Sequence, residues 1–131
     1  MSEIVDNILS GIDKNDDAEY WTVERLDALQ IIDLRPGYWQ DVSTFLDSIP
    51  VNLRLTFNDE FGSYFVDLAS FDGAIVAKGL RLATGSDILD GLAFSGFGRL
   101  FIIDKEKKNE DPTYEGLGTR FVLCYLPKEY K

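Results

Sequence analysis

Two short runs, Leu100-Phe-Ile-Ile103 and Phe121-Val-Leu-Cys-Tyr-Leu126, are apolar at every position. Successive side chains of a strand point to opposite faces, so a strand with one face in water alternates apolar and polar residues. A strand that is apolar throughout must be covered on both faces. In a chain of 131 residues, one domain's worth with one modest core, that requirement dominates the fold. The second cover has three candidate sources: N-terminal helices, the opposite wall of a rolled sheet, or another subunit.

Upstream, the pattern is that of one-sided strands. Val51, Leu53, Leu55 and Phe57 alternate with Asn52, Arg54 and Thr56, which is a half-buried strand. Asp47-Ser48 turns into it. The preceding segment, Asp41–Leu46, fits either a helical stripe through Val42, Phe45 and Leu46 or a strand, and is read as a strand. Pro36-Gly37 breaks the chain before it. Residues 58–62 read as a turn and Tyr64–Leu68 as the return strand, after which Asp72-Gly73 signals a hairpin. Ala74–Ala83 reads as the next strand, with Gly79 as a bulge or close-approach site. Gly85 to Gly98 is irregular, with a helical turn near Ile88-Leu89. Residues 104–118 form a polar loop long enough to serve in contacts. Lys105, Lys107 and Lys108 sit there among Asp104, Glu106, Glu110 and Asp111, which reads as a solvated loop rather than a basic patch.

The N-terminus differs in kind. Ile4, Val5, Ile8, Leu9 and Ile12 follow helical spacing behind Ser2, and Thr22 is placed to cap a second helix with Val23, Leu26 and Leu29 on one side. Both are too short to be stable alone and need a surface to lie on. Residues 1–30 carry eight acids and two bases, a balance of −6 out of the total of −10. The expected fold is mainly β, α+β overall: a rolled antiparallel sheet or a small β-barrel or sandwich, preceded by two short N-terminal helices. Residues 1–30 form an acidic helical extension and residues 31–131 the antiparallel β domain.

Composition and motifs argue against chemistry. The chain has no histidine, which removes imidazole bases and the nucleophile systems that depend on them. Cys124 lies inside an apolar strand, where a thiol acts as a small hydrophobe, and a lone cysteine requires no oxidising compartment. Cytoplasmic synthesis is the default. No run of about 18 apolar residues spans a membrane, and the N-terminus lacks the basic region of a signal peptide. A charge of −10 disfavours direct nucleic-acid binding. Asp87 with Asp90, and Asp67 with Asp72, could in principle pair as acid and base, but turn and capping roles account for them. Asp13, Asn15, Asp17 and Glu24 match positions 1, 3, 5 and 12 of a calcium loop, yet Ala18 stands where the sharp turn needs glycine. Gly91…Gly96-Phe-Gly98 lacks the strand-to-helix setting of a phosphate cradle. No cofactor or metal is expected.

The order of the strand and turn motifs resembles the phage baseplate plug family. Pro36-Gly-Tyr-Trp-Gln40-Asp-Val42-Ser-Thr-Phe45-Leu46-Asp47 stands in the place of that family's opening Pro-x-x-Gln hairpin, with Ser48 where glycine is usual. Leu53-Arg-Leu55-Thr-Phe57-Asn58…Gly62-Ser-Tyr64…Asp67-Leu68 follows its second segment, with Tyr64 in place of the usual tryptophan. Asp72-Gly73…Gly79…Leu82…Gly85-Ser-Asp87-Ile-Leu89 follows its third with one extra residue before Gly79, and Gly98-Arg-Leu100…Asp104, Asp111-Pro112, Leu117-Gly118 and Leu123-Cys-Tyr125-Leu126 its ending. The resemblance favours the strand at Asp41–Leu46. It implies a non-enzymatic virion component of a contractile phage tail baseplate, in or near the central hub. The implied partners are tail tube, hub, spike and tape-measure proteins and further copies of the chain itself. Candidate assembly residues are Ile4, Ile8, Leu9, Trp21, Trp39, Phe94, Phe97 and Tyr114. An alternative reading is a small acidic inhibitor of the immunity or anti-restriction type, presenting carboxylates to a basic partner. It accounts for the charge but not for the motif order.

Overall fold

The computed structural model describes residues 22–70, 74–89 and 96–131. They hold one short helix, α1 (Val23–Ala28), and seven strands: β1 (Gln30–Ile32), β2 (Trp39–Leu46), β3 (Ile49–Asn58), β4 (Ser63–Ser70), β5 (Ile75–Arg81), β6 (Arg99–Asp104) and β7 (Phe121–Leu126). A 3-10 turn, Lys128–Tyr130, follows β7. The strands pair antiparallel in two sheets, of order β1-β7-β6 and β2-β3-β4-β5.

The sheets do not close into a barrel, which corrects that part of the expectation. Pairing stops between β1 and β2, where Pro36 has no N–H to give and Gly37 takes φ 139, a conformation only glycine adopts readily. The chain crosses from one sheet to the other there. The crossing is pinned by the buried Gln40 side chain, which accepts from Arg35 N (3.0 Å) and donates to Arg35 O (2.6 Å). A single helix stands among the described residues where two were expected, and the one expected over residues 2–12 lies outside them. In α1, Thr22 Oγ1 accepts from Arg25 N (3.3 Å) as its N-cap, the role its sequence position predicts.

One core lies between the sheets. Leu46, Val51, Leu53, Leu55, Tyr64, Val66 and Leu68 from the four-stranded sheet meet Ile32, Leu100, Ile102, Phe121, Leu123 and Tyr125 from the other. The connections add Leu82, Ile88, Leu89, Phe97 and Leu117. A second cluster lies on the far face of β6 and β7: Phe101, Ile103, Val122, Cys124 and Leu126, with Ala28, Leu29, Ile31 and Tyr130 packed against it. The two apolar strands are thus covered twice. The end of α1, β1 and the C-terminal turn supply part of the second cover, and Arg25 Nε ties α1 to Tyr130 O at 2.6 Å.

Residues 105–110 are exposed, as the reading as a solvated loop expected, but that reading missed the carboxylate that ties the start of the loop to its end. Asp104, 1% exposed, accepts two bonds from the Arg120 guanidinium (2.8 and 2.9 Å) and further bonds from Glu106 N (3.0 Å) and Glu110 N (3.3 Å). Arg120, held also by Glu106 (3.1 Å) and Glu110 (3.4 Å), lies over the Phe121 ring. The guanidinium, with the two backbone donors, pulls the Asp104 carboxyl down to about 2.

Candidate functional site

The β2–β3 hairpin sets the surface that can do work. Asp47 (φ 53) and Ser48 (φ 65) both take positive φ, the pattern of a two-residue type I′ turn, and so pair Leu46 with Ile49. That pairing fixes the register along the whole hairpin to Trp39 opposite Thr56. Gln40, Val42 and Leu46 consequently face inward, and Trp39, Asp41, Ser43 and Phe45 face outward. The turn also locks the two sheets together. Asp47 Oδ2 accepts from the Tyr125 hydroxyl, which itself accepts from Gly98 N (2.7 Å), while both Asp47 oxygens receive Lys128 N. Burial, reinforced by Asp47, pushes the Tyr125 phenol far above its ordinary range. Gly98 admits no side chain, since a Cβ there would lie 1.8 Å from Leu126 O.

The outer face of the four-stranded sheet carries large apolar groups in water: Trp39 is 58% and Phe45 62% exposed. Ile49, of inward parity but at the hairpin end, and Phe61 on the β3–β4 turn are also open. Arg54, opposite Asp41, bonds both its oxygens (2.9 and 3.2 Å) and lies over the Trp39 ring, 5.4 Å from its centroid. The guanidinium lowers the Asp41 carboxyl. So exposed a pair adds little to stability. It sets the Arg54 guanidinium against the Trp39 ring on the open face. At the other end of the hairpin, Gln30, Phe45, Asp47, Ser48, Pro127 and Glu129 line an open groove at the seam of the two sheets.

The sequence-predicted assembly residues separate. Trp39 stands on the outer face. Tyr114 is half-buried and stacks on Tyr38 (ring centroids 4.7 Å apart), part of an aromatic cluster with Phe57 that anchors the long loop to the sheet. Phe97 is 93% buried in the core, where its side chain serves packing. Ile4, Ile8, Leu9, Trp21 and Phe94 lie outside the described residues, as does most of the calcium-like loop. Sequence reasoning passed over Phe45, Ile49 and Phe61. For Phe45 the signal was present: it has the parity of Trp39, opposite to that of Gln40 and Leu46.

Of the carboxylates considered for chemistry, Asp67 and Asp87 have structural tasks. Asp67 Oδ1 accepts from Gly79 N (2.8 Å), and Gly79, at φ 69, lies on the stretch where β4 and β5 slip register, the bulge its position suggested. Asp87 Oδ1 accepts from Leu89 N (3.0 Å) and Leu100 N (3.1 Å). Asp72 and Asp90 lie outside the described residues. Cys124 is fully buried, and desolvation pushes its thiol up to about 12, far from a reactive thiolate. Among the described residues, no three His, Cys, Asp or Glu side chains converge as a metal site would require.

Fold and surface together define a small two-sheet β protein whose most distinctive exposed feature is an aromatic sheet face. The family follows from comparison with known proteins. A family model described as cyanophage baseplate Pam3 plug gp18 matches residues 29–128, and the chain belongs to that family. The match begins beside β1 and ends just past β7, so it covers both sheets. It supports a structural role in a phage baseplate. No curated protein matches the chain.

Proposed function

We infer that the chain is a non-catalytic subunit of a contractile phage tail baseplate, seated in or near the central hub. It packs there against tube, hub, spike or tape-measure proteins and against further copies of itself. The observation that carries this reading is the family match across both sheets. The exposed Trp39 and Phe45 supply a physical reason, because large aromatic groups on a regular strand are the usual anchors of an interface. The extension expected over residues 1–30 acts as an acidic arm docking on a neighbouring subunit, by its part before Thr22. The boundary is drawn there because α1 and β1 are already bound to β7 and the C-terminal turn.

Charge alone favours no second reading. Asp41, Asp104 and Asp111 are held by Arg54, Arg120 and Arg81, so these three carboxylates are already engaged within the chain. Mass spectrometry of purified tail particles tests the assignment: the chain should be present at a fixed copy number per tail. Particles that contract and infect normally without it would contradict the role.

A further inference from the structure

Each of the two sheets has two edges, and three of the four are short, irregular or occupied. β1 has three residues. β6 is overlaid by residues 84–88, through the Thr84–Ile102 bridge, Gly85 N to Ile102 O (3.1 Å) and Ile88 N to Leu100 O (2.7 Å). β5 is distorted by the register slip near Gly79. β2 alone is long and regular, with eight residues paired to β3 without a slip. An open regular edge is a template for another strand, and natural proteins blunt such edges unless they use them.

The parity of β2 shows which backbone groups are open. Leu46 and Ile49 close the hairpin as a hydrogen-bonded pair, so even-numbered residues of β2 bond to β3. Trp39, Asp41, Ser43 and Phe45 turn their N–H and C=O groups to the free edge. Among the described residues, the Phe45 carbonyl is the one of these groups that is engaged. It accepts from Gln30 Nε2 at 2.9 Å and keeps its second lone pair.

We propose that this edge pairs with the same edge of a second copy of the chain, antiparallel and centred on Val42, joining two four-stranded sheets into one. The register is selected by the side chains. Centred on Val42, a two-fold axis sets Trp39 opposite the partner's Phe45 and Asp41 opposite the partner's Ser43, each pair occurring twice. The two most exposed aromatics of the hairpin then cover each other as cross-strand pairs. Centring on Asp41 instead sets two carboxylates face to face, and centring on Ser43 leaves Trp39 opposite the turn. The proposal deepens the self-association in the functional reading but stands on the edge geometry, and its test needs no phage particle.

The test is the association state of the purified full chain by sedimentation, with four variants. Ser43→Pro removes an N–H that points to the free edge and leaves the β2–β3 ladder intact, so it should abolish a dimer without unfolding the chain. Ser43→Asp places like charges opposite twice and should weaken dimerisation roughly tenfold, whereas Ser43→Lys, facing the partner's Asp41, should tighten it. Val42→Cys places two thiols on the axis in a non-hydrogen-bonded pair, at a separation suited to a disulfide, and should give a covalent dimer on mild oxidation. A chain that stays monomeric up to its solubility limit overturns the proposal and leaves the baseplate assignment standing. So does a dimer indifferent to Ser43→Pro, or one weakened equally by Ser43→Asp and Ser43→Lys. Absence of the chain from tail particles would overturn the assignment and leave the edge pairing standing.

Discussion

The two sheets obey opposite rules. β7 is buried at all six positions and β6 at its last five, whereas β3 alternates and the outward positions of β2 stand in water. In β6 and β7 nearly every side chain is spent on cohesion. The four-stranded sheet spends half of its side chains that way and leaves the others free to meet something else. In a protein with no assembled chemistry among its described residues, the free half is where function can reside.

Substitutions that respect or violate this division test it, beginning with the most damaging. Gly98→Ala forces a Cβ into the backbone of Leu126, and neither side can yield without parting β6 from β7. Denaturant unfolding should show a loss of more than about 4 kcal/mol, or no folded protein. A loss within 0.5 kcal/mol would mean the close approach is not a constraint. Next, Tyr125→Phe leaves Gly98 N without its acceptor and Asp47 without the hydroxyl that ties the hairpin turn to β7. The same measurement should show about 2 kcal/mol.

Asp104 comes third and is read by pH. Its carboxyl is held at about 2 in the folded chain against an ordinary 3.8. The stabilisation is complete above the unfolded value and is lost as pH falls through the folded one. It amounts to about 2 kcal/mol, released between about pH 4 and pH 2. Asp104→Asn should remove that acid-sensitive step and lower stability at neutral pH. A variant whose stability falls with acid as steeply as the parent's would assign the step elsewhere. The smallest stability effect belongs to the open sheet: Trp39→Ala and Phe45→Ala should each cost under about 1 kcal/mol, because neither is buried. Their effect should appear in association.

The same division explains what the sequence made legible. Strands that alternate, and strands that do not, declare their burial directly, so β3, β4, β6 and β7 and the double cover of the last two could be read locally. The Thr22 cap and the Gly79 bulge also rest on near neighbours. What stayed hidden depends on distant partners. Asp104 looks solvated among lysines and acids because Arg120, sixteen residues on, is what buries it. Phe97 looks like a loop aromatic because the core that receives it is assembled from both sheets. β1 was missed because three residues carry too little pattern to signal a strand. Phe45 was passed over for a local reason: its parity with Trp39 sends it outward, but Val42, Phe45 and Leu46 also fit a helical stripe that would put it on the inner side.

Hydroxyl-radical footprinting of the free chain and of purified tail particles tests the central claim most directly. In the free chain, diluted until it is monomeric, Trp39, Phe45 and Phe61 should oxidise readily while Tyr125 and Phe121 resist. In the particle Trp39 and Phe45 should become protected, with the buried residues unchanged. Trp39 and Phe45 as reactive in the particle as in the free chain would show that the open sheet is not how this protein is held.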